Sequence, residues 1–589
     1  MYGSTLGDRE YRLIRLFPDE SEAPVRCELF KASLDQGQSI TYEAISYVWG
    51  DPSMTQTICC DGRAFEVTSS LASALHQFRY SDVSRILWAD ALCIDQNNPA
   101  ERSYQVQLMG EIYGKAARVL AWLGPNNSDE ADLHTAFLAM EYIADLYYGA
   151  VMVDPPFPRC RSPMNLVFCS FRSLVDTFVN LGHGDPFPSL LAFLERTYWE
   201  RVWCIQEAHL ARDLYICSGS LKISAERAAV LPSWYVGQMY RERGWINPRI
   251  GSRLLLCGVT LDFHNVLTPP EFRWHEDILI MARICQQHKA TDKRDRIFGL
   301  LGLKYVPPVP FKVDYGNSFD IVYREFAKDM IRQKENLNIL AYVQVNEVER
   351  DERFPSWVPR WDISSSWFPF TQAAYLPSNL KTERFPTGNL DLSSVDFMSD
   401  RVLAVPGILF DKIADMSDQM MDSTTESSYH DFLDTDVVAK TWFTRYLAEY
   451  RELTCLNEPE LCGPALHRLA TTFTGGGTGI GSNKMVSSRL EELNPMTEIG
   501  QRFIKDFWAH VDKCPNSIEP DLDGQTYRHM AFVACHLRRF FTTNGGYIGV
   551  GPPSMKVGDI IAVLHGGLYP FILRKTDGMG DEYTLVGGE

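Results

Sequence analysis

The chain contains 589 residues, which is too long for one hydrophobic core, so two or three domains are expected. Hydrophobic residues make up 45% of the sequence and aromatic residues 12%, as in folded proteins and unlike disordered ones. The formal net charge of −18 argues against general nucleic-acid binding, because that function requires a basic surface.

The sequence carries no recognisable targeting or metal-binding signal. Its first residues, MYGSTLGDREYRLIRLF, are charged throughout and lack the apolar core of a signal peptide. No apolar run approaches the roughly 18 residues that a membrane-spanning helix needs. The 14 cysteines show neither a C-x-x-C pair nor zinc-site spacing. We therefore expect a cytoplasmic protein with reduced thiols, no membrane span and no metal site.

The first fifty residues predict β-strands. Tyr11–Phe17 and Cys27–Ala32 predict a hairpin at a sheet edge. Thr41–Gly50 (TYEAISYVWG) predicts a strong strand, because it is rich in β-branched and aromatic residues. Gly50-Asp51-Pro52 ends this strand abruptly. A polar and aromatic cluster then lies at its carboxyl end: Ser46, Trp49, Gly50 and Asp51.

A hairpin and a helix follow. Ile58–Val67 predicts two strands that turn at Asp61-Gly62, a favoured hairpin pair. Thr68–Arg79 predicts an amphipathic helix with a threonine or serine cap at its start.

The segment Arg85–Gly124 predicts a complete strand–helix–strand unit. The apolar run Ile86–Leu92 is typical of a strand covered on both faces of a parallel sheet, and Pro99–Lys115 has the pattern of a helix with one buried stripe. Ligands bind beyond the carboxyl ends of strands in open α/β sheets, so Asp90 and Asp95 are candidate ligand-binding residues. The alternative is that Asp95 only caps a loop and a helix.

The next hundred residues are less regular. Asp129–Leu146 predicts a helix, and the proline-rich residues 147–190 predict an insertion over the sheet edge. Leu190–Gly219 predicts a long helix and a short strand. One side of that helix carries three residues at i, i+4 and i+8: Trp199, Trp203 and Glu207.

The remainder divides into two regions. Residues 226–400 predict a mainly helical region, with the charged segment Thr291–Leu303 joining domains. Residues 401–589 predict an α+β region whose β-rich parts are 401–410 and 549–575.

A glycine-rich tract lies between those β-rich parts, within residues 411–530 that predict acidic helices. Phe473–Met485 lacks the G-x-x-x-x-G-K-[ST] spacing of a nucleotide loop, which favours a surface loop instead.

Three blocks of the sequence resemble the fungal heterokaryon incompatibility (HET) domain. They are TYEAISYVWGDP, then the whole Arg85–Gly124 unit, then RTYWERVWCIQEAHLA, in the order of the family. This identifies residues 1–225 as a HET domain with core motifs at 42–211. The later segments DKRDRIFGLLGL, PSWVPRWD and VGDIIAVLHGGLYPFILRK fit the long fungal proteins that carry this domain, which often continue by another short strand beyond Leu585–Glu589.

The resemblance implies a cellular role. HET proteins act in non-self recognition, and their domain triggers growth arrest or cell death. The expected partners are a second copy of the chain or another incompatibility protein, with no nucleic acid among them.

The HET domain is in turn similar to TIR domains. The similarity includes a strand with a serine–tyrosine element, here Ser46-Tyr47, and a helix bearing W-C-x-x-E, here Trp203–Glu207. It implies an α/β fold with an N-terminal doubly wound, mainly parallel sheet, followed by the helical region and the β-rich portion. In NAD-cleaving TIR domains the glutamate of this helix is catalytic, which nominates Glu207.

The chemistry of that reaction matches the residue types present. Cleavage of the nicotinamide–ribose bond builds positive charge on the sugar, which a carboxylate stabilises while aromatic walls exclude water. NAD would then be a substrate, and no cofactor is expected. The residues expected to contact such a nucleotide are Ser46, Trp49, Gly50, Asp51, Asp90, Asp95, Arg201, Trp203 and Gln206.

Two functions remain open from the sequence. The first is an enzyme that cleaves NAD or a related nucleotide. The second is a non-catalytic signalling or oligomerisation module with a C-terminal sensing region. Under the second, Glu207 is a surface or salt-bridged residue, Trp203 belongs to the core, and Asp90 pairs with Arg201 as a structural bridge.

Overall fold

A computed structural model describes most of the N-terminal half of the chain and separate segments of the remainder. The chain forms two compact units, Met1–Ser318 and Phe319–Glu589. The predicted domain boundaries near 225 and 400 stay predictions. The described residues are 2, 5–20, 23–35, 40–125, 133–153, 169–241, 248–261, 277–303, 309–343, 351–363, 392–418, 538–567, 570–576 and 582–588.

A nine-stranded sheet forms the centre of the first unit. Its spatial order is β5-β4-β2-β1-β6-β3-β7-β8-β9. The strands are β1 (Glu10–Leu16), β2 (Arg26–Ser33), β3 (Glu43–Tyr47), β4 (Thr55–Cys60), β5 (Arg63–Thr68), β6 (Arg85–Trp88), β7 (Arg118–Trp122), β8 (Leu214–Ser218) and β9 (Leu221–Ser224).

The sheet is mixed, so the prediction of a mainly parallel sheet is wrong. β6, β3, β7 and β8 are parallel neighbours, as is the pair β2 and β4. The other four pairs are antiparallel, because hairpins form β1–β2, β4–β5 and β8–β9 and because β1 also runs against β6. The predicted strand–helix–strand unit is confirmed as β6, a helix and β7 within the parallel part.

The first hairpin lies inside the sheet and not at its edge, contrary to the prediction. β1 pairs with β2 on one side and with β6 on the other, through Ile14 and Leu87 among others. Five of the seven residues of β1 are buried, including Arg12. This burial fits the position, because a strand covered on both faces belongs in the interior of a sheet.

The helices of the first unit lie between these strands and after β9. Thr68 caps the first of them, as predicted, by accepting a bond from the Leu71 amide at 3.4 Å. The helices are α1 (Ser69–Phe78), α2 (Asp90–Cys93), α3 (Pro99–Lys115), α4 (His134–Val153), α5 (Phe171–Asn180), α6 (Phe187–Leu194), α7 (Val202–His209), α8 (Ala225–Ala228), α9 (Val230–Arg241), α10 (Pro248–Leu261), α11 (Ile278–Ile284) and α12 (Asp295–Phe298).

Helices cover both faces of the parallel part of the sheet. On one face, the Tyr113 ring of α3 packs edge-on against Trp88, with the ring centroids 5.1 Å apart. On the other face, Phe78 of α1 packs against Trp122 at 5.4 Å, and the Trp122 indole donates to Ser73. Helices therefore lie on both faces of the sheet around β6, β3 and β7.

The predicted long helix after residue 190 is broken, which corrects the position of Trp199. α6 ends at Leu194, a 3₁₀ turn spans Thr197–Glu200, and Arg201 is extended before α7 begins. The Val202 amide donates to the Lys289 carbonyl at 3.1 Å, which replaces a helical hydrogen bond. Trp199 therefore packs on Phe193 and does not share a face with Glu207.

α7 packs against residues 285–303, here called the 285–303 segment. Gln206 is buried and accepts a hydrogen bond from the Gly302 amide at 2.9 Å. Trp203 lies beside Asp295 of α12. Glu200, just before α7, pairs with Lys289 at 2.6 Å. The segment that the sequence suggested as a link between domains therefore supports the helix that carries Glu207.

A six-stranded antiparallel sheet characterises the second unit, in the order β12-β11-β10-β13-β14-β15. Its core contains Phe541, Met555 and Ile572. The predicted β-rich character is confirmed, although the first strand begins later than expected, at Gly407. The elements are α13 (Phe319–Lys334), β10 (Gly407–Met416), β11 (Arg539–Thr543), β12 (Ile548–Gly551), β13 (Ile560–Leu564), β14 (Phe571–Lys575) and β15 (Tyr583–Gly588).

Some predictions lie outside the described residues, namely the acidic helices within 419–530, the glycine tract 473–485 and the proline-rich part of the insertion at 154–168. In the part of the chain that the structure describes, no helix has the length and apolar character to cross a membrane. Within the same residues, no group of three histidine, cysteine or acidic side chains is placed to hold a metal ion.

Gly302→Ala should destabilise the first unit. A Cβ atom there would lie 2.6 Å from Cδ of the buried Gln206, so Gln206 must move and lose its hydrogen bond to the Gly302 amide. We expect a loss of about 1–3 kcal/mol in the free energy of unfolding, measured by chemical denaturation of the full chain.

Gly149→Ala is the matched control, because nothing lies within 4 Å of a Cβ at this position of α4. It should be neutral or stabilising by up to about 1 kcal/mol. Equal effects of the two substitutions would contradict the packing of α7 on the 285–303 segment.

Candidate functional site

Glu207 lies deep in the first unit, at the carboxyl end of β3. It is on α7, and its residue surface is only 2% exposed. Its Oε2 accepts a hydrogen bond from the Ser46 hydroxyl at 2.5 Å, which joins α7 to the sheet. Ser46 is completely buried. The structure therefore brings together the two residues that the sequence placed 161 positions apart.

Tyr198 extends this contact into a chain of three side chains. Its hydroxyl lies 2.8 Å from the Ser46 hydroxyl and is also buried. Because Ser46 has one hydrogen and donates it to Glu207, Tyr198 is the donor to Ser46. Tyr198 is not among the residues predicted for the site, because the sequence predicted a continuous helix here, whereas Tyr198 lies on the 3₁₀ turn that interrupts it.

A second cluster lies beside Glu207 and reaches the surface. The Trp49 indole donates to Asp90 Oδ2 at 2.8 Å, and the Arg201 guanidinium lies 4.0 Å from the same oxygen. Arg201 also stacks over the Trp49 ring at 5.4 Å and donates to the Tyr47 carbonyl at 2.7 Å. The Arg201 and Asp90 side chains are 19% and 11% exposed, so this cluster is partly open to solvent.

The local fold positions this cluster at the end of the parallel strands. Asp90 follows β6 and is the first residue of α2, where it also accepts a bond from the Ala91 amide at 2.8 Å. Trp49 follows β3, and the left-handed φ of +76° at Gly50 turns the chain directly after it. Arg201 is held by the extended backbone between the 3₁₀ turn and α7.

The proton affinity of Glu207 is unusually high. Burial raises the pKa of its carboxyl from 4.5 to about 7, and the charge of Asp90 also raises it. The nearby Arg201 guanidinium and the hydrogen bond from Ser46 lower this pKa in part. A buried carboxyl of this kind changes between its neutral and charged forms near physiological pH.

Three of the predicted contact residues do not join this site. Asp95 lies in the loop before α3, where it accepts a bond from the Asn97 amide at 3.1 Å. Asp51 is exposed and accepts two bonds from Ser53, which lower the pKa of its carboxyl. Gly50 is exposed and supplies the turn after Trp49. These residues have local structural roles, as the alternative for Asp95 anticipated.

Trp203 and Gln206 of α7 both contact the 285–303 segment. Gln206 bonds the Gly302 amide and Trp203 lies near Asp295 of α12. Both side chains are buried within the first unit. Of the predicted residues, the structure therefore groups Ser46, Trp49, Asp90, Arg201 and Glu207.

This arrangement provides several chemical capabilities. A carboxyl with a pKa of about 7 can stabilise a developing positive charge when ionised or hold a proton when neutral. The Arg201 guanidinium can contact a phosphate, and the Asp90 carboxylate can accept bonds from sugar hydroxyls. The Trp49 ring adds an apolar wall at the partly exposed end of the cluster.

Comparisons with known proteins find two family models and one relative that match parts or most of the chain. The heterokaryon incompatibility protein (HET) family model matches residues 42–207 and ends on Glu207, and the Het-6 beta-barrel domain model matches residues 516–589. The chain is 25% identical to "Heterokaryon incompatibility protein 6, OR allele" of Neurospora crassa, over 96% of this chain and 90% of that protein. No solved structure matches the chain. These matches confirm the resemblance to fungal HET proteins that the sequence motifs predicted, whereas the TIR-like fold stays a prediction.

The raised pKa of Glu207 predicts a pH-dependent stability. Between pH 4.5 and about 7 the folded protein keeps a proton that the unfolded chain has lost, so the free energy of unfolding falls as pH rises through this range. The loss caused by this one group amounts to about 3 kcal/mol at pH 8. Glu207→Gln should therefore gain stability relative to the native chain as pH rises from 5 to 8.

Thermal unfolding of both full-length proteins across this pH range measures the effect. Glu226→Gln, at an exposed glutamate of α8, is the matched control and should follow the native curve. A constant difference between Glu207→Gln and the native chain would contradict the raised pKa.

Proposed function

We propose that this HET protein is an effector of heterokaryon incompatibility that triggers cell death by cleaving NAD or a related nucleotide. The HET domain and the similarity to a heterokaryon incompatibility protein support the role in incompatibility. The observation that supports the catalytic step is the buried Glu207 carboxyl, which lies beside Arg201 and Asp90 at the carboxyl end of β3.

The proposed reaction breaks the bond between ribose C1′ and the nicotinamide nitrogen. The bonding electron pair moves to the positively charged nicotinamide ring, which leaves neutral, while C1′ gains positive charge. Water then adds to C1′ and releases a proton, giving ADP-ribose and nicotinamide. Ionised Glu207 stabilises the charge at the sugar, Arg201 contacts the diphosphate, and Asp90 accepts bonds from the ribose hydroxyls.

This reaction requires access to Glu207. With 2% of its surface exposed, the carboxylate reaches a substrate only if neighbouring side chains move. Arg201, Asp90 and Trp49 are the partly exposed members of the cluster, so their rearrangement is the proposed route of entry. The interaction of a phosphate with Arg201 would compete with its 4.0 Å contact to Asp90 and would favour that rearrangement.

The second candidate function is a non-catalytic signalling module. The observation that favours it is the same burial, because Glu207 already has a short hydrogen bond from Ser46 and joins α7 to the sheet. In this case Asp90 and Arg201 form a structural bridge, and incompatibility depends on contacts with a second copy of the chain or with another incompatibility protein.

NAD consumption by the purified full-length chain distinguishes the two functions. Measured at high protein concentration to favour assembly, turnover should fall by about 10²-fold or more in Glu207→Gln, because a catalytic carboxyl is lost while its shape is kept. Glu226→Gln should retain full turnover. Turnover should also rise with pH through about 7, since ionised Glu207 is the active form.

Expression of the same variants in a fungal host completes this test. If the protein acts as an enzyme, Glu207→Gln should abolish cell death. If it acts as a signalling module, a correctly folded Glu207→Gln variant should still cause cell death. Equal NAD turnover in the native chain and in Glu207→Gln would refute the catalytic role of this residue.

A further inference from the structure

The Tyr198 hydroxyl is connected to the Glu207 carboxyl through two hydrogen bonds, with Ser46 between them. It lies on the 3₁₀ turn before α7, whereas Ser46 lies on β3, so the contact links two separate elements. The Tyr198 hydroxyl lies 2.8 Å from the Ser46 hydroxyl, which lies 2.5 Å from Glu207 Oε2, so the three side chains form a continuous series of hydrogen bonds. All three residues are at most 2% exposed, so bulk water does not compete for these bonds.

The direction of these two hydrogen bonds depends on the charge of Glu207. When the carboxyl is ionised it only accepts, so the order is Tyr198 to Ser46 to Glu207, with each hydroxyl donating toward the charge. Hydrogen bonds aligned in this way polarise one another, and bonds to a charged acceptor are the stronger ones. The Tyr198 hydroxyl therefore stabilises the ionised carboxylate more than the neutral acid.

We propose that Tyr198 is a positioning residue that acts through Ser46 to set the proton affinity and orientation of Glu207. Tyr198 itself touches neither the proposed substrate nor the reacting atoms. Its effect on turnover rests on the proposed function, but its effect on the proton affinity of Glu207 does not. The consequence is that the candidate catalytic carboxylate remains partly ionised at neutral pH although it is buried.

Several other groups face Glu207 and remain in place when the Tyr198 hydroxyl is removed. The charge of Arg201 and the Tyr113 hydroxyl of α3 lower the pKa of Glu207, whereas the charge of Asp90 raises it. The groups that interact with this carboxyl or its neighbours include Ser46 and Tyr47 of β3, Asp90 of α2, Tyr113 of α3, Tyr198 and Arg201 before α7, and Cys204 of α7. Tyr198→Phe should therefore change the pKa of Glu207 only in part, because these other groups stay the same.

The test compares the proton affinity of Glu207 in pairs of full-length variants. For each protein, the thermal unfolding midpoint is measured against pH with and without Glu207→Gln, and the difference between the two curves isolates Glu207. The proteins are the native chain, Tyr198→Phe, Ser46→Ala and Tyr42→Phe. Tyr42 is the matched control, because it is equally buried but its hydroxyl bonds the Ile112 carbonyl.

Ser46→Ala should move the midpoint of this difference curve upward by about one pH unit, because the direct bond to the carboxylate is lost. Tyr198→Phe should move it in the same direction by roughly half as much, because only the polarising bond is lost. Tyr42→Phe should leave it unchanged. In Tyr198→Phe, the acidic limb of NAD turnover should shift by the same amount as the midpoint of the difference curve.

A midpoint in Tyr198→Phe that coincides with the Tyr42→Phe control overturns the proposal, even if Ser46→Ala shifts. If Tyr198→Phe does not fold, an unchanged midpoint in Ser46→Ala overturns the proposal, because that substitution removes the hydroxyl through which Tyr198 acts on Glu207. If no protein consumes NAD, the proposed function fails, and the unfolding curves still decide the role of Tyr198.

Discussion

The burial of one carboxyl group against the sheet is the constraint on which the site depends. Moving a carboxylate out of water is costly, so Glu207 requires the hydrogen bond from Ser46 and the nearby charge of Arg201. These partners fix the position of α7 against β3, and they also leave the carboxyl with a pKa of about 7. The position of α7 and the raised pKa of Glu207 therefore have the same physical origin.

The helix that carries Glu207 is held by two parts of the first unit. Glu207 meets the sheet through Ser46, whereas Gln206 and Trp203 meet the 285–303 segment. Glu200, buried before the helix, pairs with Lys289 and with Arg253 of α10. The HET family match ends at Glu207, but the structure that supports this residue extends to residue 302. The functional unit is thus longer than the matched motif, and shortening the chain near residue 225 would remove part of this support.

The partly exposed cluster of Trp49, Asp90 and Arg201 differs in its electrostatics from the buried, hydrogen-bonded side chains of Tyr198, Ser46 and Glu207. Arg201 interacts with the Asp90 carboxylate, the Trp49 ring and the Tyr47 carbonyl, so its charge is distributed over several partners. An anionic ligand could replace Asp90 as the partner of Arg201 while Asp90 keeps its hydrogen bonds from the Trp49 indole and the Ala91 amide. This is the physical reason for assigning ligand contact to this cluster and proton control to Tyr198, Ser46 and Glu207.

The sequence alone determined the local elements of this protein. Hydrophobic periodicity and turn residues predicted α3, β7 and the hairpin at Asp61-Gly62, because short-range preferences control them. Motif resemblance also identified the family and nominated Glu207 and Ser46. Only the tertiary structure decided that β1 is interior, that the helix breaks before Val202 and that Tyr198 joins the site. Each of these features depends on pairing between residues far apart in the chain, as when Lys289 bonds the backbone at Val202, and no local pattern encodes such contacts.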